Sequence, residues 1–301
     1  MPDARPTILL IGAGGQLGRE LAAVLPAQGD VVACDRAKLD LADPSAIVRC
    51  VREVATGFIV NAAAYTGVDR AETDRDAAFA INGRAPGVLA DEAKRAGAVL
   101  IHYSTDYVFD GTRTTPYDES AAPHPLSVYG ASKLAGERAI GASGARALTL
   151  RTSWVYARHG RNFLVTMQQL AAGRSELRVV ADQTGVPNWS RALAVATARL
   201  IAKGTNYMAE RAGLYHLSAQ GRATWYEFAR AIIGDDAGVR VTPITTADYP
   251  TPAKRPAYAV LDSTRFAGTF GFALPDWQTL LQQCLRSAPE PAQMAQRSPA
   301  A

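Results

Sequence analysis

The chain has 301 residues, of which 48% are hydrophobic and 20% are charged, and its formal net charge is +4. At this length, folding can bury about three quarters of the surface of the extended chain, so neither disulfides nor metals are needed to build a core. The composition excludes a mainly disordered chain, and the small, mixed charge argues against a nucleic-acid-binding protein. No apolar run approaches the ~18 residues of a membrane span, so we expect no membrane association.

The cysteines are odd in number and widely spaced, at Cys34, Cys50 and Cys284. This arrangement predicts reduced thiols in a cytoplasmic protein rather than a disulfide framework. Neither the cysteines nor the four histidines have the spacing of metal ligands, so they predict no metal site.

In the first half of the chain, short apolar runs alternate with helical patterns. Runs rich in Val, Ile and Leu that are separated by helices are typical of a parallel sheet covered on both faces. The predicted fold class is therefore α/β, with a Rossmann-like, doubly wound parallel sheet. The predicted strands are 7–11, 31–34, 58–60, 98–103 and 147–150, and the predicted helices are 16–27, 44–55, 76–96 and 127–140.

The pattern changes after about residue 155. Helices are predicted at 162–172, 191–203 and 224–233, and shorter strands at 177–180, 214–217 and 240–243. Residues 1–155 are expected to form a dinucleotide-binding domain to which some later segments return. Residues 156–286 are expected to form mainly a smaller, mixed α/β C-terminal substrate lobe. The Pro-, Ala-, Gln- and Ser-rich composition of 287–301 predicts a disordered tail.

Three glycines follow the first predicted strand at a GxxGxxG spacing. Gly12, Gly15 and Gly18 would provide a tight turn, a close backbone approach to a pyrophosphate and a close contact between helix and strand. The start of the next helix supplies free amides and the positive end of a helix dipole. A tight turn without a ligand has the same pattern, but the position between a first strand and a helix favours a dinucleotide site.

The second predicted strand ends at two residues with opposite implications for the cofactor. Asp35 would accept a hydrogen bond from a ribose 2′-hydroxyl, which favours NADH. Arg36 would pair with a 2′-phosphate, which favours NADPH, unless it is only a solvated loop charge. We therefore expect NADPH or NADH to serve as the cofactor.

Tyr129 and Lys133 are spaced i, i+4 on a predicted helix, so both side chains can point into one cleft. Lys133 is expected to favour the phenolate of Tyr129 and to hydrogen-bond the nicotinamide ribose. A surface tyrosine and a solvated lysine would have the same spacing. With the glycine loop upstream, the pair is instead interpreted as catalytic and cofactor-binding.

A hydroxyl at the carboxyl end of a central strand would complete this pair. The predicted strand 98–103 delivers Ser104 and Thr105 to that edge of the sheet, where ligands bind in open α/β folds. Thr105 is the predicted catalytic hydroxyl that contacts the substrate oxygen. Ser104 is the alternative, or a hydroxyl that only satisfies the local backbone.

Together, these motifs resemble the extended short-chain dehydrogenase/reductases and, more closely, the dTDP-4-dehydrorhamnose reductase family. The resemblance extends from the first strand to about residue 265. Its motifs are VNAAAYTGVD at 60–69, STDYVFDG at 104–111, VYGASKLAGE at 128–137, RTSWVY at 151–156 and YPTPAKRP at 249–256. The combination is much more specific than any single motif.

The resemblance implies the last step of dTDP-rhamnose biosynthesis, in which hydride from NAD(P)H reduces the C4 carbonyl of dTDP-4-dehydro-β-L-rhamnose. Tyr129 would protonate the C4 oxygen, Lys133 would support Tyr129, and Thr105 would hydrogen-bond the same oxygen. It also implies cofactor contacts from Gly15, Gln16, Leu17, Asp35, Asp40, Leu41, Ala63, Ala64, Tyr65 and Tyr103. Thr105, Asp106 and Trp154 would contact the dTDP-sugar, and Lys254 and Arg255 are candidates for its diphosphate, unless they are solvated loop charges.

Some members of the family form a dimer linked by magnesium through acidic side chains. This chain retains Glu20 but has Arg191 at a position that is acidic in those members. A cation there argues against a magnesium bridge, so we expect a monomer or at most a weak homodimer.

Three alternatives to a reductase share parts of this pattern. A sugar-nucleotide dehydratase needs a glutamate after Thr105-Asp106, where this chain has Tyr107. An epimerase would return its NAD unchanged. A non-catalytic NADP-binding regulatory subunit, like a known partner of methionine adenosyltransferase, would keep the fold without turnover, but the intact Thr105, Tyr129 and Lys133 argue against it.

Overall fold

A computed structural model describes residues 5–234 and 238–287 of the chain. The strands are β1 Thr7–Ile11, β2 Asp30–Cys34, β3 Phe58–Asn61, β4 Val99–Thr105, β5 Ala147–Thr152, β6 Val155–Tyr156, β7 Glu176–Val180, β8 Thr184–Gly185, β9 Asn188–Trp189, β10 Gly213–His216, β11 Ala223–Thr224 and β12 Arg240–Ile244. The helices are α1 Gln16–Val24, α2 Pro44–Val54, α3 Val68–Ala71, α4 Arg75–Phe79, α5 Ala85–Ala96, α6 Val128–Ser143, α7 Phe163–Ala171, α8 Ser190–Ile201, α9 Thr205–Ala209, α10 Trp225–Ile233, α11 Thr264–Phe270 and α12 Trp277–Arg286.

Six strands form one parallel sheet in the order β10-β5-β4-β3-β1-β2. β2 lies on one side of β1 and β3 on the other, so the direction in which the chain adds strands reverses between them. In open α/β sheets, ligands bind at the carboxyl ends of the strands beside such a reversal. The doubly wound parallel sheet predicted from the sequence is confirmed.

Both faces of the sheet are buried, which explains the continuous apolar runs in its strands. Ile8 and Leu10 of β1 share an apolar cluster with side chains of α1, α8 and α11. Leu9 and Ile11, which alternate with them, share another cluster with side chains of α2 and α5. All four side chains are at most 1% exposed.

The second half of the chain contributes to two different cores. Leu164 of α7, Phe228 of α10 and Trp277 of α12 belong to a separate apolar cluster, beside the parallel pair β7–β12. In contrast, β10 is the edge strand of the main sheet, and α8 and α11 contribute to one of its cores. The predicted domain boundary at 155/156 and the assignment of 156–286 as a substrate lobe remain predictions.

The predicted elements differ from the structure at one proline, at one irregular turn and in elements that were not predicted, among them the short helices α3, α9 and α11. The first helix ends at Val24 rather than residue 27, because Pro26 cannot donate the next helical hydrogen bond and a 3₁₀ turn follows. The predicted helix 76–96 contains a π-helical turn, Ala80–Arg84. Helix α12 was not predicted, although Asp276 caps it by accepting a hydrogen bond from Thr279 N.

The predicted disordered tail at 287–301 lies, apart from Ser287, outside the described residues. Within 5–234 and 238–287, no helix is both long enough and apolar enough to cross a membrane.

Candidate active site

A cleft of about 850 Å³ opens at the carboxyl ends of β1, β3, β4 and β5, next to the reversal in strand order. Most residues predicted to contact a cofactor line it, although they come from segments far apart in the chain. They are Gly12, Gly15, Gln16, Leu17, Asp35, Arg36, Asp40, Leu41, Ala63, Ala64, Tyr65, Tyr103, Tyr129 and Lys133. The structure therefore brings the predicted cofactor residues together in one place.

The glycine loop packs so closely that side chains are excluded. Gly12 has a φ of +84°, and a Cβ there would lie 2.6 Å from the backbone nitrogen of Ala63. A Cβ on Gly18 would lie 1.9 Å from the carbonyl oxygen of Gly12. Gly18 therefore allows α1 to approach the turn and does not itself line the cleft.

The N-terminus of α1 faces the cleft with its amides available. Gly15 occupies the N-cap position, no side chain caps the helix, and its first turn has no acidic residue. The buried Oε1 of Gln16 also has no hydrogen-bond partner among the described residues. Free amides at the positive end of a helix dipole are suited to a pyrophosphate.

Asp35 and Arg36 lie at the rim of the cleft, and both are exposed. Asp35 Oδ1 accepts hydrogen bonds from the amides of Ala37 and Lys38, at 3.0 and 3.1 Å, which orients the carboxylate. Arg36 forms no ion pair with any described residue, so its guanidinium is available to a phosphate.

Helix α6 carries the predicted catalytic pair, and Ser127 caps it by accepting a hydrogen bond from Gly130 N at 3.2 Å. Burial raises the pKa of Tyr129 to about 12, the nearby Asp106 raises it further, and a hydrogen bond with Thr105 opposes both effects. In the protein without ligands, burial therefore keeps Tyr129 protonated, and the expected support of its phenolate by Lys133 remains a prediction. A tyrosine in this state is a proton donor at neutral pH.

Lys133 is only 2% exposed and points under the strand that ends at the site. Its Nζ donates a hydrogen bond to the carbonyl oxygen of Tyr103 at 2.6 Å and lies 3.3 Å from His102 Nε2. Burial lowers the pKa of Lys133 to about 8, and the charge of Glu137 opposes this effect.

The two hydroxyls at the end of β4 have different partners. Ser104 Oγ donates to Glu137 Oε1 at 2.5 Å, so it takes part in a buried structural network. Thr105 Oγ1 donates to Asp106 Oδ1 at 3.1 Å and interacts with Tyr129. Of the two, Ser104 lines the cleft and Thr105 interacts with Tyr129, so Thr105 as the catalytic hydroxyl remains a prediction.

Asp106 is 2% exposed, and its Oδ2 has no partner among the residues that the structure describes. Burial raises its pKa to about 7, and the hydrogen bond from Thr105 opposes this effect. A buried polar atom without a partner is costly, and here a hydroxyl group of a bound sugar could satisfy it.

Trp154 has a positive φ of 41° and stacks on Trp225, with ring centroids 3.5 Å apart and an interplanar angle of 8°. Gly185 also packs closely against the Trp154 ring, since a Cβ there would lie 2.5 Å from Trp154 Cε2. Strained backbone of this kind tends to occur at functional sites, and the half-buried Trp154 keeps part of its surface accessible.

The two candidates for the substrate diphosphate lie in a long loop before α11. Lys254 is exposed, whereas Arg255 forms an ion pair with Asp69, with Nη2 2.8 Å from Oδ2. The pairing keeps the pKa of Asp69 below its usual range, mainly through the hydrogen bond from Arg255. Arg255 therefore already has a partner within the protein, and the exposed Lys254 is more available to a diphosphate.

Glu20, the acidic residue that the resemblance connects with a magnesium-linked dimer, already has internal partners. The carboxylate of Glu20 is 3% exposed and bonds to Arg191 Nε through one oxygen and to His159 Nε2 at 3.3 Å through the other. Within the described ranges, no group of three or more His, Cys, Asp or Glu side chains could hold a metal ion. Arg191 thus forms an ion pair with the Glu20 carboxylate, which a magnesium ion would need as a ligand.

Some residues in the site were not predicted from the sequence. Thr152 ends β5 next to Thr105, lines the cleft and, among the described residues, lacks a partner for its buried Oγ1. Asn61 and His102 lie beneath the cleft beside Lys133. Arg70 and Arg161 lie at its rim. The position of Thr152 at the end of a buried strand was the available signal.

Comparisons with known proteins agree with one another over nearly the whole chain. A family model described as the RmlD substrate binding domain matches residues 6–289. A dTDP-4-dehydrorhamnose reductase of Burkholderia thailandensis is 45% identical over 291 residues, which cover 93% of this chain and 98% of the relative. A dTDP-4-dehydrorhamnose reductase of Escherichia coli K12 is 42% identical over 289 residues, which cover 92% and 96%.

A solved structure provides an independent comparison. The crystal structure of dTDP-4-dehydrorhamnose reductase from Bacillus anthracis in complex with NADP has a TM-score of 0.88 and 36% sequence identity to this chain. The match covers 93% of this chain and 99% of that one.

We predict that neither Mg²⁺ nor EDTA will change the melting temperature, because Arg191 and His159 already satisfy Glu20. A cation that bound only the native state at 100 times its Kd would add about 2.7 kcal/mol of stability. Arg191→Glu is the comparison variant, because its second carboxylate beside Glu20 should make stability depend on Mg²⁺. Stabilisation of the parent protein by Mg²⁺ would contradict this interpretation.

Proposed function

The chain belongs to the RmlD family of dTDP-4-dehydrorhamnose reductases, and from this premise we propose how its residues carry out the reaction. The enzyme is an NAD(P)H-dependent oxidoreductase. It reduces the C4 carbonyl of dTDP-4-dehydro-β-L-rhamnose to dTDP-L-rhamnose, the last step of dTDP-rhamnose synthesis. The observation that supports the residue assignments is that Tyr129 and Lys133 both line the cleft and that Thr105 hydrogen-bonds Tyr129.

The residues at the cleft fit a dinucleotide. The Gly12 turn leaves no space for a Cβ, the α1 amides are free, and Gln16 Oε1 is a buried acceptor without a partner among the described residues. We propose that α1 binds the pyrophosphate and that Asp35 and Arg36 bind the adenosine ribose or its 2′-phosphate. When bound, NADPH or NADH supplies the hydride that adds to C4.

Tyr129 is the proposed general acid. Hydride addition to a carbonyl carbon leaves a negative charge on its oxygen, and that oxygen must gain a proton to complete the alcohol. Because burial keeps Tyr129 protonated up to a pKa of about 12, its hydroxyl has the proton available at neutral pH. The developing alkoxide is far more basic, so the proton moves from Tyr129 to the C4 oxygen.

Two neighbours of Tyr129 have proposed supporting roles. Thr105 would turn its hydroxyl proton from Asp106 toward the C4 oxygen, where the hydrogen bond positions the carbonyl and stabilises its developing charge. Lys133 would hold the nicotinamide ribose and stabilise the phenolate that remains after proton transfer. Asp106 Oδ2 and the half-buried Trp154 would contact the sugar nucleotide, and Lys254 would approach its diphosphate.

We further propose that the protein is a monomer or at most a weak homodimer in a reducing, cytoplasmic environment. The internal pairing of Glu20 with Arg191 supports the first point, because it occupies the carboxylate of a metal-linked interface. The free thiols of Cys34, Cys50 and Cys284 are compatible with the second. Sedimentation equilibrium with and without Mg²⁺ would test the oligomeric state.

The decisive assay follows NADPH oxidation with the substrate generated in place by the upstream dehydratase and epimerase. We expect oxidation that requires the epimerase, since only its product has the L-rhamnose configuration. A control without the epimerase separates this activity from reduction of other keto sugars. Cofactor binding without oxidation would favour the regulatory-subunit alternative, and turnover without net oxidation would favour an epimerase.

Tyr129→Phe removes the proposed proton donor but keeps the aromatic ring. We predict a decrease in kcat by a factor of about 10²–10⁴, because no positioned acid remains for the C4 oxygen. The Kd for NADPH should change little. Tyr107→Phe is a matched control, since its ring packs edge-on 5.5 Å from that of Tyr129. A kcat unchanged by Tyr129→Phe would refute the acid assignment.

Arg36→Ala tests cofactor selection at the rim. We predict that it weakens NADPH binding more than NADH binding, because only NADPH has the 2′-phosphate that Arg36 would pair with. Arg19→Ala is a suitable control, since Arg19 bonds to the carbonyl of Gly14 at 3.2 Å. Equal losses for the two cofactors would show that Arg36 does not contact the 2′-phosphate.

A further inference from the structure

His102 is a completely buried histidine directly beneath the catalytic lysine. It lies on β4, with Nδ1 3.0 Å from Asn61 Nδ2 and Nε2 3.3 Å from Lys133 Nζ. Asn61 is 1% exposed and lies opposite His102 in the register of β3 and β4. Three nitrogen-containing side chains thus form a line that runs from Lys133, at the cleft, through His102 to Asn61, and each is at most 2% exposed.

The hydrogen bonds determine which nitrogen of His102 carries the proton. Asn61 Oδ1 accepts the amide of Ala63 at 3.2 Å, so Asn61 Nδ2, which only donates, must be the atom that faces His102. His102 Nδ1 must therefore be an acceptor. Burial and the nearby Lys133 lower the pKa of His102, so the ring is neutral and its one proton is on Nε2.

The Nε2 proton of His102 consequently points at Lys133 Nζ. An uncharged lysine amine has a lone pair that accepts this hydrogen bond, whereas an ammonium group has only donors. When Lys133 is charged, its N–H groups face the Nε2–H of His102. The alternative is that His102 moves its proton to Nδ1, where it would face the N–H groups of Asn61 Nδ2. Either arrangement disfavours the charged form of Lys133.

Few other charges face Lys133. Along α6, Glu137 favours the ammonium form but forms a buried ion pair with Arg151 of β5, with Nη2 2.6 Å from Oε2. Tyr129, on the same helix, is protonated at neutral pH. From β4, the carbonyl of Tyr103 accepts a hydrogen bond from Lys133 in either protonation state. On the side of Lys133 that faces β3 and β4, His102 and Asn61 are therefore the groups that determine its protonation.

We infer that Asn61 and His102 are positioning residues that lower the proton affinity of Lys133 and thereby set the upper pH limit of the enzyme. The inference rests on the proposed function, in which charged Lys133 supports the Tyr129 phenolate and holds the ribose. As pH rises, Lys133 loses its charge before Tyr129 ionises. Activity is then lost at the pH where the His102 contact allows Lys133 to become neutral.

His102→Gln tests this inference directly. The Gln carbonyl can turn toward Lys133 and accept a hydrogen bond from the ammonium group. We expect the basic limb of kcat/KM for NADPH, which reports the free enzyme, to move upward by about one pH unit, equivalent to one changed hydrogen bond. A loss of packing alone would lower the rate at every pH without moving the limb.

His216→Gln is the matched control. His216 is also completely buried, on β10, and its ring nitrogens face the carbonyl of Tyr117 at 3.0 Å and Arg151 at 3.5 Å. We expect it to leave the limb at the parent position. Asn61→Asp is a second test, because its carboxylate still accepts from Ala63 and also accepts from His102 Nδ1, which turns His102 Nε2 into an acceptor. It should also move the limb upward.

The Kd for NADPH against pH provides a readout that needs no sugar substrate, followed through the fluorescence of bound NADPH. Binding by the parent should weaken as Lys133 loses its charge, and in His102→Gln this weakening should begin about one pH unit higher. Shifted binding without turnover of the dTDP-sugar would refute the proposed substrate and support the inference. The inference would be overturned if the parent protein turns over the dTDP-sugar and the folded variants His102→Gln and Asn61→Asp keep the basic limb of kcat/KM at the parent position.

Discussion

Two buried polar anchors, one helical turn apart, attach α6 to the sheet, and the active site depends on them. Lys133 hydrogen-bonds the backbone of β4, and Glu137 binds both Ser104 of β4 and Arg151 of β5. Breaking a buried ion pair by removing one partner typically costs about 3–5 kcal/mol. These anchors hold Tyr129, at the start of the helix, against Thr105, at the end of the strand.

Ion pairing and burial together leave little net charge around Tyr129. Glu137 is neutralised by Arg151, burial shifts Asp106 toward its uncharged form, and burial keeps Tyr129 protonated. Lys133 lies one helical turn from Tyr129, and even its pKa is lowered. The charge that appears during reduction therefore develops in a poorly solvated pocket, where hydrogen bonds from Thr105 and Tyr129 are strongest.

Sequence reasoning was most successful where one local pattern has one structural solution. The glycine spacing after β1 and the i, i+4 spacing of Tyr129 and Lys133 each predicted residues that line the same cleft. It gave least information where the outcome depends on distant partners. The pKa of Tyr129 follows from burial against other segments, and the pairing of Arg255 with Asp69 joins residues far apart in the chain. No local pattern contains either fact.

Residues whose positions depend on strand pairing or on distant helices were harder to predict than the glycine loop, for a related reason. Thr152 and His102 gain their roles only from the register of β5 and β3 against β4. Helix α12 was missed because its apolar face covers a cluster formed by α7 and α10, which the helix's own sequence does not reveal. A glycine loop that binds through its backbone depends on a short stretch of sequence. A site formed by side chains depends on segments that only the tertiary structure brings together.

The stack of Trp154 on Trp225 has an optical consequence. Two nearly parallel indoles at 3.5 Å share their excited states, so their absorption and emission depend on the spacing between the rings. Gly185 packs too closely against the Trp154 ring to leave space for a side chain at position 185. Any ligand that displaces Trp154 must therefore alter this electronic coupling, and the protein contains a built-in chromophore pair that reports on the region next to its active site.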